Sequence, residues 1–135
     1  MSANNTLVIH RGGCHCGAVR FECEASANIT AFECNCSVCT MKQNTHFMVP
    51  AEDFRLIQGE EKLTTYQFNK RIAKHLFCSI CGVQSFYIPR SHPTCRAVTV
   101  HCVDPGTVEN VTIEKADGAN WEAWQAAYAA RQQKD

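Results

Sequence analysis

The chain contains Gly13-Cys14-His15-Cys16-Gly17 near its start and Phe77-Cys78-Ser79-Ile80-Cys81-Gly82 past its middle. Each segment carries two closely spaced cysteines followed by a glycine. Four thiolates make a closed tetrahedral zinc site, in which sulfurs about 2.3 Å from the metal lie about 3.8 Å from each other. We therefore expect Cys14, Cys16, Cys78 and Cys81 to hold one zinc ion that joins remote parts of the chain.

A third cysteine cluster, Cys34-Asn35-Cys36-Ser37-Val38-Cys39, lies between these two segments. Three thiolates leave one position of a zinc ion open, and a water, a thiol or a carbonyl oxygen can take it. Residues 34–44 are poor in apolar side chains, which predicts a loop of the kind that often carries binding or catalytic residues. The sequence thus predicts a second, open zinc site and two zinc ions per chain.

The alternative to metal binding is a disulfide framework, which requires an oxidising compartment. The segment Met1-Ser2-Ala3-Asn4-Asn5-Thr6 shows no basic region followed by an apolar core, as a secretory signal would. We therefore favour reduced, metal-binding cysteines and expect an intracellular location, in the cytoplasm or the nucleus.

Length and charge limit the class of protein further. The chain has 135 residues, which suits a single zinc-binding domain over residues 1–135, and its 13 Lys+Arg balance its 13 Asp+Glu. A balanced charge gives no general attraction to nucleic acid or to an anionic membrane. No apolar run approaches the roughly 20 residues of a transmembrane helix. We expect neither a membrane nor a nucleic-acid partner for this domain alone.

Hydrophobic patterning predicts a mainly β fold of stacked antiparallel sheets. Apolar and polar residues alternate over residues 18–23, 63–68 and 97–100, as in half-buried strands. Shorter strands are predicted at residues 46–49, 54–57, 74–77, 85–88 and 111–113. Near the end of the chain, Trp121, Trp124 and Tyr128 recur at helical spacing and predict a C-terminal helix that packs on the sheets.

These motifs together resemble the glutathione-dependent formaldehyde-activating enzyme family, and most closely its centromere protein V branch. The resemblance runs from about Arg11 to Trp121 and includes the tracts Lys42-Gln43-Asn44-Thr45-His46-Phe47, Gly82-Val83-Gln84-Ser85-Phe86-Tyr87 and Pro89-Arg90-Ser91. It implies a β-tent, Mss4-like fold with a structural zinc on Cys14, Cys16, Cys78 and Cys81 and a second zinc on Cys34, Cys36 and Cys39.

The same resemblance implies a carbon–sulfur lyase of the S-(hydroxymethyl)glutathione synthase type. Its partners would be a small thiol such as glutathione and a small aldehyde such as formaldehyde. The bacterial members usually carry an arginine after the third cysteine of the middle cluster and a histidine or serine within its first pair, where this chain has Thr40 and Asn35. The identity of the thiol is therefore left open.

A histidine could accept and return the proton of such a reaction near neutral pH. His46, seven residues beyond Cys39, is our catalytic candidate, ahead of His75, His101 and Tyr87.

A different function follows if a protein side chain fills the fourth position of the middle zinc. Cys95, Cys102 or a histidine could do so, and the domain would then be a non-catalytic, zinc-stapled interaction module with a chromosomal or cytoskeletal role. Exposed sheet edges would also make a homodimer credible.

Overall fold

A computed structural model describes residues 7–34, 37–67, 73–89 and 94–116. The predicted C-terminal helix, with Trp121, Trp124 and Tyr128, lies outside these residues, and so does Cys36.

The described chain forms two sheets. The order of strands is β1-β2-β5 in the smaller sheet and β10-β3-β4-β9-β8-β7-β6 in the larger one. A short helix and three 3-10 turns, Ala51–Asp53, Glu60–Lys62 and Val100–Cys102, complete the described elements. The elements are β1 Leu7–Gly13, β2 Arg20–Ser26, β3 Asn28–Cys34, α1 Ser37–Lys42, β4 Thr45–Pro50, β5 Phe54–Gln58, β6 Leu63–Tyr66, β7 Lys74–Cys78, β8 Phe86–Ile88, β9 Cys95–Thr99 and β10 Asn110–Ala116.

The predicted mainly β architecture is confirmed, with two corrections. The strand β10 pairs with β3 in parallel, whereas all other paired strands described are antiparallel. A parallel pair needs a long connection, and here all the other strands of the larger sheet lie between β3 and β10 along the chain. Residues 34–44 are also not wholly a loop, because α1 forms within them.

No helix in the described ranges is long and apolar enough to cross a membrane.

The sequence pattern does not predict the strand β1, because apolar side chains of this strand face solvent and a polar side chain faces the interior. Leu7 and Ile9 are exposed, whereas His10, which directly follows Ile9, is fully buried. The ring of His10 is held by two hydrogen-bonding contacts, 2.7 Å from the hydroxyl of Thr107 and 3.0 Å from the carbonyl oxygen of Ser26. Those contacts satisfy a polar ring that would otherwise be costly to bury.

The core lies between the two sheets and continues to the first cysteine pair. One buried cluster contains Phe21, Cys23, Ile29, Ala31, Phe47, Val49 and Val98. A second cluster contains Cys14, Val19, Cys78 and Phe86. Two of the predicted zinc ligands are thus part of the packed interior, where their positions are fixed by the surrounding side chains.

The larger sheet also has a buried outer face. Directly paired residues of antiparallel strands share a face, and Phe47, paired with Val98, marks the face that carries the core. His46, which neighbours Phe47, and its partner Thr99 therefore lie on the other face. Tyr87 lies there too, and all three of these residues are buried.

Candidate metal centre and the adjoining cleft

The structure brings the four outer cysteines to one point. Their sulfurs all lie within 4.8 Å of one another. The sulfur of Cys16 is 3.7 Å from that of Cys14 and 3.7 Å from that of Cys78. These distances match the separation of about 3.8 Å between two sulfurs on one tetrahedral zinc. The cluster of Cys14, Cys16, Cys78 and Cys81 could therefore hold a metal ion.

Two turns with the same backbone closure present these sulfurs. The amide of Cys14 donates to the carbonyl oxygen of Val19 over 3.1 Å, and the amide of Cys78 donates to that of Val83 over 3.1 Å. Each turn therefore spans six residues, although the second ligand is Cys16 in one and Cys81 in the other. The shared closure makes the chain reverse direction at each cysteine pair, so that both sulfurs of the pair face the same point.

Backbone conformation explains why a glycine follows the second cysteine of each turn. Gly17 has φ +83° and Gly82 has φ +79°, which is the left-handed region that side chains disfavour. A Cβ atom at either position would meet no other atom within 4 Å, so backbone conformation and not crowding favours glycine here.

Backbone amides also set the charge of the cluster. The N–H of Val83 holds the pKa of Cys81 down at about 6, and the N–H of Cys81 lowers the pKa of Cys78. At Cys16 the N–H of Ala18 acts to lower the pKa, but burial and the neighbouring sulfurs outweigh it and raise the pKa to about 11. Without a cation Cys81 is therefore ionised at neutral pH while Cys16 is protonated. A divalent ion that prefers sulfur, such as zinc, would let all of them ionise, so the donor set fits that metal.

Two cysteines of the middle cluster line a separate cleft. Cys34 ends β3 and Cys39 lies in α1, where its side chain is buried. The cleft has a volume of about 210 Å³. The two described members of the predicted ligand set thus line the same cleft, while Cys36 lies outside the described residues and the set stays a prediction. The other lining residues are Glu33, Thr40, Gln43, Asn44, Thr45 and Lys115.

The end of α1 fixes one wall of this cleft. Gln43 adopts the left-handed conformation with φ +55°, and its amide donates to Thr40 O over 3.3 Å. The amide of Asn44 donates to Cys39 O over 3.1 Å. These two bonds form the Schellman pattern that ends many helices, although glycine usually occupies the left-handed position. The turn holds Asn44 against the backbone of Cys39.

Asn44 also belongs to a buried polar network, which the sequence alone does not reveal. The hydroxyl of Thr99 donates to Gln84 O over 2.8 Å and lies 3.3 Å from Asn44 Oδ1. The amide of Thr99 donates to Ser85 O over 2.9 Å. Asn44, Ser85 and Thr99 are all buried. Polar residues in the tracts around Asn44 and Ser85 are visible in the sequence, but their burial is not.

The structure places His46 away from the lining of the cleft. Its neighbours Asn44 and Thr45 line the cleft, and strand pairing places His46 on the same face of the larger sheet as Phe32 and Thr99. There the ring nitrogen Nε2 of His46 lies 3.3 Å from the hydroxyl of Tyr87, whose ring stacks on His75 at 4.9 Å. The catalytic role of His46 stays a prediction. His101, another candidate, is exposed.

Neither Cys95 nor Cys102 is among the described residues that line the cleft. Cys102 instead approaches the connection that follows the turn of Cys78 and Cys81, with its sulfur 3.9 Å from Gln84 O. Burial raises the pKa of Cys102 to about 11 and that of Cys23 to about 12. Both thiols are therefore protonated near neutral pH, as expected of packed, unreactive cysteines.

Comparison with known proteins agrees with the arrangement of cysteines and sheets. The sequence profile of a family described as "Glutathione-dependent formaldehyde-activating enzyme" matches residues 9–124. The crystal structure of a Rhodobacter sphaeroides protein is similar to this chain, with a TM-score of 0.65 and 35% sequence identity. That similarity covers 77% of this chain and 99% of the Rhodobacter chain. The closer assignment to the centromere protein V branch stays a prediction. This chain belongs to the glutathione-dependent formaldehyde-activating enzyme family.

Proposed function

We propose that this protein is a zinc-dependent enzyme of the carbon–sulfur lyase type, which joins a small thiol such as glutathione to a small aldehyde. Membership of the family relates the chain to glutathione- and formaldehyde-dependent chemistry. The observation that carries the proposal is a cleft lined by Cys34 and Cys39, separate from the four-sulfur cluster. Separate groups of cysteines can divide a structural role from a chemical one.

The two groups of cysteines would hold different zinc ions. Cys14, Cys16, Cys78 and Cys81 would hold the structural ion, and Cys34, Cys36 and Cys39 would hold the second. A zinc ion in the cleft would supply the positive charge that keeps an incoming thiol in its nucleophilic thiolate form. Because three thiolates outweigh the charge of Zn²⁺, this donor set suits thiol delivery better than activation of water.

The proposed reaction needs no oxidant or reductant. A carbon–sulfur bond forms between the thiol and the carbonyl carbon, the carbonyl π bond breaks, and the oxygen takes up the proton that the thiol releases. The reverse reaction cleaves the carbon–sulfur bond. His46, which contacts the hydroxyl of Tyr87, is the group that we propose for holding the proton.

The proposal is tested by loading the protein with cobalt in place of zinc and adding glutathione. We expect the visible spectrum to change as the thiol enters the cleft, and we expect Cys39→Ser to lose that change while Cys95→Ser keeps it. Exchange between glutathione and its hydroxymethyl adduct, followed by ¹³C NMR with labelled formaldehyde, should be faster with wild-type protein. An unchanged spectrum with millimolar thiol would favour the non-catalytic interaction module instead.

A further inference from the structure

The cleft has a buried part and an exposed rim. Among its lining residues Cys39 and Asn44 are buried, whereas Thr40, Gln43 and Lys115 are exposed. Its volume of about 210 Å³ is smaller than the roughly 300–1,000 Å³ of pockets that enclose a drug-sized ligand. The cleft can therefore take up the reacting thiol and a small aldehyde, while the rest of a larger thiol such as glutathione would lie across the rim.

The two charged side chains that line the cleft pair with each other. Glu33 and Lys115 occupy paired positions of the parallel strands β3 and β10, and Lys115 Nζ lies 3.1 Å from Glu33 Oε1. The side chain of Glu33 is 45% exposed and that of Lys115 is 87% exposed. An ion pair in so exposed a position contributes little to stability, because water already solvates both charges. A ligand that offers the same two charges can therefore open the pair at little cost.

The charge of the cleft makes Lys115 important for an anionic thiol. Lys115 is the one cationic side chain among the described residues that line the cleft. Three thiolates on a zinc ion would leave a net negative charge there, and Glu33 adds another. A thiol that carries a carboxylate would be repelled by these charges unless a cation met it. The ammonium group of Lys115 can donate to that carboxylate, and the carboxylate of Glu33 can accept from an ammonium group.

We propose that Lys115 binds a carboxylate of the thiol substrate and Glu33 binds its ammonium group, so that the cleft selects thiols with an amino-acid end over neutral thiols. The inference rests on the proposed function and names the class of thiol that the sequence leaves open. An α-amino acid carries both charges on one carbon atom, so that it can meet two neighbouring partners at once. Binding would then replace the single pair of Glu33 and Lys115 with two ion pairs.

The test titrates four thiols into the full, cobalt-loaded protein and takes each dissociation constant from the visible spectrum. Glutathione carries both charges, N-acetylcysteine only the carboxylate, cysteamine only the ammonium group, and 2-mercaptoethanol neither. Each thiol is compared between variant and wild type, so that its own acidity cancels.

The test variants are Lys115→Gln and Glu33→Gln, which remove one charge each. Arg11→Gln is the matched control, because Arg11 also forms an exposed ion pair across two neighbouring strands. Its Nε lies 2.8 Å from Oε2 of Glu22, which is its paired residue in the smaller sheet. We expect Arg11→Gln to bind all four thiols as wild type does.

The two test variants should give opposite patterns. We expect Lys115→Gln to bind glutathione and N-acetylcysteine about tenfold more weakly, near the lower limit for loss of a hydrogen bond to a charged group. Cysteamine should bind this variant at least as tightly as wild type, because Glu33 has lost its competing partner. Glu33→Gln should weaken glutathione and cysteamine and bind N-acetylcysteine at least as tightly. Binding of 2-mercaptoethanol should not change in either variant.

The outcomes separate this inference from the function on which it rests. Equal weakening of all four thiols in Lys115→Gln would show that the lysine only maintains the cleft, and unchanged binding of all four would show that the rim does not recognise charge. Either result would overturn the inference and leave the proposed function standing. A wild-type cobalt spectrum that responds to none of the four thiols would overturn the proposed function and the inference together.

Discussion

The sulfur of Cys16 lies 3.7 Å from the sulfur of Cys78, although the two cysteines are 62 positions apart in the chain. Cys16 belongs to the turn between β1 and β2 of the smaller sheet, and Cys78 ends β7 of the larger sheet. A metal ion held by both would therefore join the two sheets. This position explains why the four-sulfur cluster should matter for folding more than for chemistry.

Loss of one outer ligand should destabilise the protein more than loss of one middle ligand. We expect Cys81→Ser to lower the free energy of unfolding by several kcal/mol or to prevent folding, because structural zinc can contribute about 10 kcal/mol or more in small domains. Cys36→Ser should remain folded with one zinc ion. Zinc content and thermal midpoints of both variants, with Cys95→Ser as control, provide the measurement. Equal destabilisation would mean that the middle site is structural and would favour the interaction module.

Purified protein should contain two zinc ions per chain. The ion of the four-sulfur cluster should leave slowly on adding a chelator, because its ligands come from two sheets that would have to separate. The ion of the cleft should leave first, since an open position lets a competing ligand attack. Elemental analysis gives the stoichiometry, and a colorimetric chelator gives the two rates. One zinc per chain would contradict the division into a closed and an open site.

Alkylation should follow the thiol pKa values. The thiolate is the reactive form, so at about pH 8 Cys102, with a pKa of about 11, should resist iodoacetamide in the zinc-loaded protein and react faster as the pH rises toward that value. After zinc removal Cys81, with a pKa of about 6, is already ionised at that pH and should react first. Peptide mass spectrometry identifies the modified residues. Modification of Cys102 before Cys81 in the zinc-free protein would contradict these two pKa values.

Replacing Gln43 by glycine should stabilise the fold. Gln43 holds a left-handed conformation, which costs a residue with a side chain roughly 1–2 kcal/mol, and the greater entropy of glycine in the unfolded chain offsets about half of the gain. We expect Gln43→Gly to raise the free energy of unfolding by about 0.5–1 kcal/mol in denaturant titrations. Gln43→Ala is the control, because it removes the same side chain and keeps the strain. A lower stability for the glycine variant would show that the bond from Gln43 Nε2 to Thr40 O outweighs the strain.

The features that follow from local sequence are those that the spacing of residues along the chain controls directly. The pairs at Cys14 and Cys78, each followed by a glycine, predict two metal-binding turns because a turn is built from adjacent residues. Regular alternation, as in residues 18–23, predicts a strand for the same reason. Because a closed zinc site takes four ligands, the two cysteine pairs are predicted to share one metal ion. The structure brings the four outer sulfurs together.

Other features depend on which strands become neighbours, and only the tertiary structure shows them. The parallel pairing of β10 with β3 and the contact between Asn44 and Thr99, 55 positions apart, arise from strand order and register. The same is true of the contact between His46 and Tyr87, 41 positions apart, which depends on the pairing of β4 with β9 and of β9 with β8. Contacts of this kind are decided when separate segments bury their apolar faces against each other, and no short stretch of sequence contains that information.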